Sequence, residues 1–498
     1  MTASFTGQLL RRGDAAFDDA AVSRIFNQRR PSPRPAAVLR AADAADVAAG
    51  VRLAQAEGLQ VAVRAGGHSW AAWSLRDDTL LIDLAAFTAM SYDDATGVAT
   101  VGPAVRGGVD LDPFLVGRDR FFAGGHCPTV GLGGFLLQGG MGWNCRGWGW
   151  AAESIEAIQV VTADGGVAWC DQSENADLFW AARGSGPGFF GVVTAFRLRT
   201  RPRYRELTQT TYVYPAEAAE EVLGWLHHAR HDVPPSVELV AVGITPPLPP
   251  EMDYAGSVLV VDGVSFDGGP GALTVLGTCP VAGKALVSKI AQPVTIGELR
   301  AEQVRANPEG HRYTVDNAYL AGETGPLIGA LTPAFTELPT AKSFSLWFDL
   351  AHLPNRPLSD MALSDMALSD MALSDMALSD MALSVQSDLY FATYVVGEEP
   401  AQDGACRSWL DETMRRLEPF SAGCYLGDSD LTIRPDRFMS DAAWDRFRRI
   451  RAARDPGRLF AGYDCADESA LNGGRPGPDH GTGPNHGTGP NHGTGPTP

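Results

Sequence analysis

The chain has 498 residues, 45% of them hydrophobic, and a formal net charge of −19. This length allows about two or three domains with sizeable cores. The acidic balance, with a sequence pI of about 4.9, excludes a general nucleic-acid binder, because such proteins present a basic surface. The sequence has no apolar run of about 20 residues, which a membrane helix requires, so no membrane partner is expected.

The seven cysteines are scattered and form no C-x-x-C pair. This pattern is typical of reduced thiols and argues against a structural zinc site, so no metal is expected. The first 20 residues, MTASFTGQLLRRGDAAFDDA, have no apolar segment after their charges, unlike a secretory signal. We therefore predict a cytoplasmic protein.

Helix-like and strand-like segments alternate along most of the chain, which predicts a mixed α+β protein. A helix over 41–58 is expected to end at Gly58. A hairpin over 155–170 is expected to turn at Asp164-Gly165. The other predicted strands are 59–65, 79–87, 97–105, 191–200, 343–353 and 388–396, and the other predicted helices are 217–230 and 441–456.

Two segments have compositions unlike a folded domain. Residues 358–382 are five copies of LSDMA, followed by Leu383 and Ser384. A period of five matches neither a helix nor a strand, so 358–384 is predicted to be a loop insertion with no fixed buried face. From about residue 469 the chain is rich in Gly, Pro, Thr and His, which predicts a disordered tail over 469–498.

Two other motifs are set aside. GPGFFG (186–191) has the spacing of a dinucleotide fingerprint, but a strand-like segment follows it where that fingerprint requires a helix. His227 and His231 are one helical turn apart without a carboxylate at matching spacing, which favours a surface helix over a metal site.

Two glycine-rich loops carry the residues whose side chains are the strongest candidates for a functional role. In RAGGHSW (64–70), the paired glycines can form a backbone nest for a pyrophosphate, and His68 follows at once. In AGGHCPTVGLGG (123–134), Pro128 fixes the backbone directly after Cys127. Alone, either His68 or Cys127 would be interpreted as structural; together they indicate a cofactor site.

These loops resemble those of the berberine bridge enzyme-like flavoproteins, within the vanillyl-alcohol oxidase group. The matching stretches are RAGGHS, GHCPTVGLGG, LQGGMGW and DLFWAARGSGPGFFGVVTAFRL, and the resemblance covers about 35–200 and, more faintly, 385–467. It implies a two-lobed, PCMH-type FAD-binding fold of the α+β class. The FAD lobe would span 1–205, a substrate lobe built on an antiparallel sheet covered by helices would span 206–419, and 420–468 would return to the FAD lobe.

The resemblance also implies a flavin attached through two bonds, His68 to the 8α-methyl group and Cys127 to C6 of the ring. Imidazole and thiolate are nucleophiles suited to these electrophilic positions when rigid loops hold them. The expected FAD-binding residues are Arg64, Ala65, Gly66, Gly67, His68, Ser69, Cys127, Pro128, Thr129, Val130, Gly131, Gly133, Gly134, Gly139, Gly140, Gly142, Val192 and Tyr425.

The catalytic base is where the sequence departs from the family. Relatives carry Y-x-N-Y-x-D near the C-terminus, whereas SAGCYLGDSDLT (421–432) keeps Tyr425 but has Gly427 and Asp428 instead of the Asn-Tyr pair. Tyr425 is the first candidate for the base and Asp428 the second. Tyr390 and Tyr394 are four residues apart on a predicted strand, so both can face one side.

The implied reaction is the oxidation of a C–OH or C–N group of a sugar or secondary metabolite. Hydride goes to the flavin and O2 accepts the electrons, giving hydrogen peroxide. In the family, a small residue three positions after the linked cysteine, here Val130, goes with oxidases. Two alternatives stay open: a dehydrogenase or cyclase with another acceptor, and a catalytically silent FAD-binding protein.

Overall fold

Strand pairing divides the molecule into two lobes. The structure is a computed structural model that describes residues 4–245, 254–353, 380–463 and 471. Most of the LSDMA array and nearly all of the tail lie outside these residues. Within them, no helix is long and apolar enough to cross a bilayer.

The first lobe contains a four-stranded sheet and a five-stranded sheet around one core. The helix predicted over 41–58 is confirmed: the Asp43 side chain accepts the Asp46 N–H at its start, and Gly58 ends it in the left-handed region at φ 67°. The strands of this lobe are β1 (Gln8–Arg11), β2 (Ala37–Arg40), β3 (Gln60–Arg64), β4 (Thr79–Asp83), β5 (Met90–Asp93), β6 (Val98–Val101), β7 (Arg120–Phe121), β8 (Ile155–Val161), β9 (Val167–Cys170), β10 (Val192–Arg199) and β11 (Arg201–Pro202). The helices are α1 (Phe17–Val22), α2 (Ala44–Glu57), α3 (Asp112–Val116), α4 (Leu132–Leu137), α5 (Cys145–Trp148) and α6 (Ala176–Ala182).

The strand orders are β1-β2-β4-β3 and β5-β6-β10-β8-β9, with β7 and β11 as a separate pair. The predicted β8–β9 hairpin is confirmed, with Gly165 at φ 75° in its turn. GPGFFG leads into β10 through a single short 3-10 turn, and a Cβ on Gly188 would lie 2.1 Å from the Tyr463 ring. Gly188 therefore serves packing.

The second lobe is one eight-stranded sheet in the order β15-β12-β14-β13-β17-β18-β16-β19. Its strands pair antiparallel, and three helices cover one face around a separate apolar core, which confirms the predicted architecture. The strands are β12 (Leu207–Pro215), β13 (Val237–Ile244), β14 (Val258–Phe266), β15 (Val287–Pro293), β16 (Arg312–Leu320), β17 (Phe344–Asp349), β18 (Leu389–Gly397) and β19 (Ser421–Gly423). The covering helices are α7 (Ala219–Ala229), α9 (Thr324–Thr336) and α10 (Asp403–Leu417); α8 (Ile296–Ala306) lies between β15 and β16 in sequence, and α11 (Asp441–Arg454) follows β19.

Three expectations need correction. The segment 420–468 was expected to return to the FAD lobe, and Phe460 does so by forming a parallel bridge with Val61 of β3, but 421–423 pair with β16 as the last strand of the second lobe. Met381, Ala382 and Leu383 were expected to have no fixed buried face, yet they are 3%, 0% and 2% exposed. Backbone hydrogen bonds from Ala382 to Trp180 and from Leu383 to Arg183 hold them against the first lobe.

The third correction concerns the tail. Leu471 is fully buried in the core of the first lobe, so the expectation of an unpacked chain from 469 onward is wrong at this residue. An apolar side chain can gain enough from burial to order itself even within a polar, Gly-rich segment.

The two lobes are joined by polar contacts between buried groups. The Arg146 guanidinium, in α5, binds Asp349 at the end of β17, and both side chains are 0% exposed. The Asn27 amide pairs with both the N–H and the C=O of Tyr313 in β16. These contacts fix the first lobe against the uncovered face of the eight-stranded sheet.

Candidate active site

A cavity of about 860 Å³ lies between the two lobes. One wall is formed by the two glycine-rich loops of the first lobe, and the floor is the face of β13, β14, β17 and β18 that carries no helices. This volume is near the upper end of the range for small-molecule sites.

The two glycine loops lie backbone against backbone. A Cβ on Gly66 would lie 2.7 Å from the Gly131 nitrogen, and one on Gly131 would lie 2.8 Å from the Gly66 Cα. Gly67 has φ 78°, and a Cβ there would lie 1.7 Å from the Arg24 carbonyl oxygen. Only glycines allow this approach, which places His68 and Cys127 on the wall of the same cavity.

The environments of His68 and Cys127 set their protonation. Burial lowers the pKa of His68 to about 4, so the imidazole is neutral and a ring nitrogen keeps its lone pair. The His68 ring stacks on Phe26 at 4.7 Å between centroids. Burial raises the pKa of Cys127 to about 11, while hydrogen bonds from Thr129 stabilise the thiolate. The pair offers one ready nucleophile and one that must lose its proton inside the assembled site.

Most of the predicted cofactor residues line this cavity. They are Arg64, Ala65, Gly66, Gly67, His68, Ser69, Cys127, Val130, Gly131, Gly133, Gly134 and Tyr425, together with Asp428. Two of the others, Pro128 and Thr129, lie outside the cavity lining, although Thr129 shares a neighbouring opening with His68. Val192 is fully buried in β10, and its neighbours Gly191 and Val193 line the cavity instead.

Gly139, Gly140 and Gly142 serve packing. Cβ atoms on Gly139 and Gly140 would lie within 2.9 Å of Leu383, Ala151 and Phe135, and one on Gly142 would lie 2.1 Å from the Ala123 carbonyl oxygen. Their contact with the cofactor stays a prediction. The backbone turns through Gly139 and Gly140 at φ 103° and 77°, which glycine adopts at little cost.

The Arg64 side chain is also committed elsewhere. Its guanidinium pairs with Asp83 at 2.6 Å and donates to the carbonyls of Ala20 and Ala21 at 2.5 Å each. This buried network fixes the end of β3 from which the His68 loop departs.

Asp428 is the centre of a hydrogen-bond network on the cavity wall. Its Oδ2 accepts the Tyr390 hydroxyl at 2.6 Å, and its Oδ1 accepts the Trp70 indole N–H at 2.9 Å. Tyr394 also lines the cavity, and its hydroxyl acts to lower the pKa of Asp428. Tyr390 and Tyr394 thus face one side of β18, as their spacing predicted. Burial raises the pKa of Asp428 above its usual range against the effect of these donors, and burial also raises the pKa of both tyrosines.

Tyr425, the first candidate from sequence, is placed differently. Its hydroxyl accepts the Met141 backbone N–H at 3.2 Å, and its backbone is held by Asn317 at 2.7 and 3.0 Å. Burial raises its pKa. These contacts orient the segment that carries Asp428, so the geometry favours Asp428, the second candidate, as the proton acceptor.

Sequence reasoning missed a second polar pair on the wall. The His126 Nε2 lies 3.1 Å from Glu238 Oε1 on β13, and the His126 ring packs on Trp143 at 4.4 Å. The other Glu238 oxygen accepts the Asn144 backbone N–H at 2.5 Å. The indole N–H of Trp143 is buried and finds no hydrogen-bond partner among the residues that the structure describes. The position of His126 directly before Cys127 was the available signal.

The fit of these residues to a flavin rests on the site itself. The close-packed glycines leave a cradle that a Cβ would fill, and two nucleophiles of the kind that attach to flavin face it. The same cavity is lined by a buried acid–phenol network able to take a proton. A two-lobed protein with this arrangement is a flavin-dependent oxidoreductase.

Comparisons with known proteins agree. An FAD binding domain matches residues 35–171. The chain is 33% identical over 448 residues, 88% of its length and 94% of the relative's, to the FAD-linked oxidoreductase janO of Penicillium janthinellum. The chain therefore belongs to the FAD-linked oxidoreductases, as the resemblance indicated.

Solved structures show the same fold. Berberine bridge enzyme from Eschscholzia californica matches with TM-score 0.73 at 18% identity, over 92% of this chain and 96% of that one. The glucooligosaccharide oxidase of Acremonium strictum, described with a 6-S-cysteinyl, 8α-N1-histidyl FAD, matches with TM-score 0.72 at 19% identity, over 92% and 96%. The predicted family, fold class and enzyme class are thus confirmed.

Proposed function

We propose that this enzyme holds FAD through His68 and Cys127 and oxidises a C–OH or C–N group of a small molecule with O2 as the final acceptor. The observation that carries the proposal is that His68 and Cys127 line the same cavity as Asp428 with its two donors, Tyr390 and Trp70. The bicovalent FAD of glucooligosaccharide oxidase supports the attachment.

When bound, FAD supplies the hydride acceptor, and the protein supplies position and electrostatics. The glycine loops hold the cofactor at the wall, because backbone without side chains allows close contact. The neutral His68 and the Thr129-assisted Cys127 provide its two tethers. The sheet face of the second lobe then positions the substrate on the opposite side of the cavity.

Proton removal from the substrate heteroatom falls to Asp428 and Tyr390. The Tyr390 hydroxyl lies 2.6 Å from Asp428, so it can pass a proton to the carboxylate as it receives one from the substrate. The buried carboxyl has a raised pKa, which makes its ionised form a stronger base than an exposed aspartate. Trp70 holds the second oxygen and fixes the carboxyl plane.

The tethers are tested by denaturation. Wild type precipitated with acid should keep its yellow colour in the pellet, His68→Ala and Cys127→Ala should each keep one bond, and the double variant should release all of its flavin. A matched control is His227→Ala, a histidine of α7 outside the cavity lining. Free FAD released from denatured wild type would refute the attachment.

The acceptor is tested separately. Anaerobic reduction by a panel of alcohols, sugars and amines, followed by mixing with aerated buffer, should give fast reoxidation and hydrogen peroxide. Slow reoxidation by O2 with fast reoxidation by an artificial acceptor would favour the dehydrogenase alternative. A flavin that no panel member reduces would favour the silent protein.

The predicted cytoplasmic location is part of the proposal. The cysteines of the described residues are all free thiols, which agrees with a reducing compartment. Cell fractionation tests it.

A further inference from the structure

The floor of the cavity is a regular row of side chains across four strands. Val240 on β13 lies opposite Phe348 on β17 and opposite Asp262 on β14. Phe348 in turn lies opposite Tyr390 on β18. Directly opposed residues point to the same face of a sheet, and all four side chains line the cavity. The row therefore runs from the proton-accepting network to Asp262.

The register gives the length of this row. Neighbouring strands are about 4.8 Å apart, so three spacings separate the backbones of Tyr390 and Asp262 by about 14 Å. The distance suits a molecule rather than a single functional group.

Between its two ends, the floor is apolar. Apart from Glu238, every cavity-lining side chain of the fully described strands β13 and β17 is a hydrocarbon: Val240, Val242, Ile244, Phe344, Leu346 and Phe348. The two valines, Ile244 and Leu346 are each partly exposed. Hydroxyl groups laid on these six side chains would lose water without gaining hydrogen bonds from them.

Asp262 is a prepared acceptor at the far end of the row. The Gln209 amide donates to both of its oxygens at 3.0 Å, and the Thr211 hydroxyl donates to Oδ1 at 2.6 Å. A carboxylate offers about four acceptor sites, so these three bonds orient the group and leave acceptor capacity. Burial raises the pKa of Asp262 to about 6, and the charges of Glu302 and Glu238 act in the same direction. This field favours a donor from the ligand.

We propose that the site takes an elongated, largely apolar substrate with a hydrogen-bond donor at the end remote from the reacting carbon. The reacting carbon lies at Tyr390 and Asp428, the apolar body lies on Phe348 and Val240, and Asp262 accepts the donor. The inference rests on the proposed function for the placement of the reacting end. Asp262 is a specificity-determining residue that touches the substrate away from the reaction.

Three matched probes test the inference on the holoenzyme. They are 4-(5-hydroxypentyl)benzyl alcohol, its 5-amino analogue and 4-hexylbenzyl alcohol, chosen because about 14 Å less one hydrogen bond of about 3 Å leaves about 11 Å for the ligand. Perturbation of the flavin absorbance on titration measures Kd without requiring turnover. Maltotriose represents the hydroxyl-rich alternative.

Wild type should bind at least one of the donor-terminated probes about tenfold more tightly than the hexyl probe, as expected for one hydrogen bond to a charged group. Asp262→Leu should abolish that preference. The isosteric Asp262→Asn should reduce it most for the ammonium end, and decides the matter if Asp262→Leu lacks flavin. Asp94→Leu, on the exposed turn after β5, is the matched control and should change nothing.

Two results would overturn the inference: an unchanged preference in both Asp262 variants, or tighter binding of maltotriose than of the hexyl probe by wild type. Failure of the proposed function looks different. A donor-terminated probe that binds with the Asp262-dependent preference but does not reduce the flavin would count against the proposed reaction and still support the binding mode.

Discussion

Replacing Asp428 with asparagine separates its role from that of Tyr425. In wild type the Trp70 indole N–H lies 2.9 Å from Oδ1 and the Tyr390 hydroxyl 2.6 Å from Oδ2. Asparagine keeps an oxygen for the indole N–H, and its amide can donate to the Tyr390 hydroxyl. The network is rearranged rather than broken, so the free energy of unfolding should change by about 1 kcal/mol. The proton acceptor, however, is lost.

Loss of a general base slows the proton-coupled step by about 10²- to 10⁴-fold, or about 3 to 5 kcal/mol in activation free energy. Tyr425→Phe should instead lower the stability and leave the reduction rate nearly unchanged. It leaves the Met141 N–H without its 3.2 Å partner, which costs about 1 to 3 kcal/mol of stability. The reduction rate should then stay within about threefold of wild type, under 1 kcal/mol in activation free energy.

The assay is anaerobic stopped-flow reduction of the flavin by the fastest compound of the panel, with thermal unfolding measured in parallel. Both variants must retain full flavin content for the comparison to count. A rate of flavin reduction in Asp428→Asn equal to that of wild type would refute the reasoning. So would an equal loss in Tyr425→Phe, since the Tyr425 hydroxyl would then take part in removing the proton.

Three further predictions follow from described contacts. Because burial raises the pKa of Asp428 above its usual 3.8, the ionised base is present above that raised value and is lost as pH falls through it; the reduction rate should show this acid limb, and Asp428→Asn should not. Val130→Leu, on the cavity wall, should slow reoxidation by O2 far more than flavin reduction; equal effects in double-mixing stopped flow would argue against an O2 space there. Deleting 358–377 should shift the melting temperature by only a few degrees, because loop length costs little, whereas Leu383→Ala, 2% exposed in wild type, should cost about 2 to 5 kcal/mol; a collapse of folding in the deletion would show that the four copies are structural.

Local signals predicted the parts of the site that local geometry determines. The Gly66-Gly67 and Gly131 backbones needed no partner to be recognised, because their density of glycine already indicates close approach. The spacing of Tyr390 and Tyr394 correctly placed both on one face of β18. The hydrogen bond from Trp70 to Asp428, which accepts the Tyr390 hydroxyl, could not be predicted from local spacing. These two residues are separated by 358 positions in the sequence.

The prediction for the end of the LSDMA repeat was wrong for a related reason. The period of LSDMA is the same in every copy, but only the last copy is followed directly by Leu383, Ser384 and the buried Val385. Gly184 leaves room for Leu383: a Cβ there would lie 2.1 Å from its nitrogen. Leu383 packs where Gly184 leaves room for it, and the period of the repeat carries no information about that neighbour.

The division of labour between the lobes has an evolutionary consequence. The loops with His68 and Cys127 come from the first lobe, whereas the floor of the cavity, where we propose that the substrate binds, comes from β13, β14, β17 and β18 of the second. Random libraries confined to positions such as Val240, Val242 and Leu346 can therefore explore new substrates while the yellow colour of the colony independently reports cofactor loading. Selection for cofactor loading and selection for substrate scope act on different stretches of the gene.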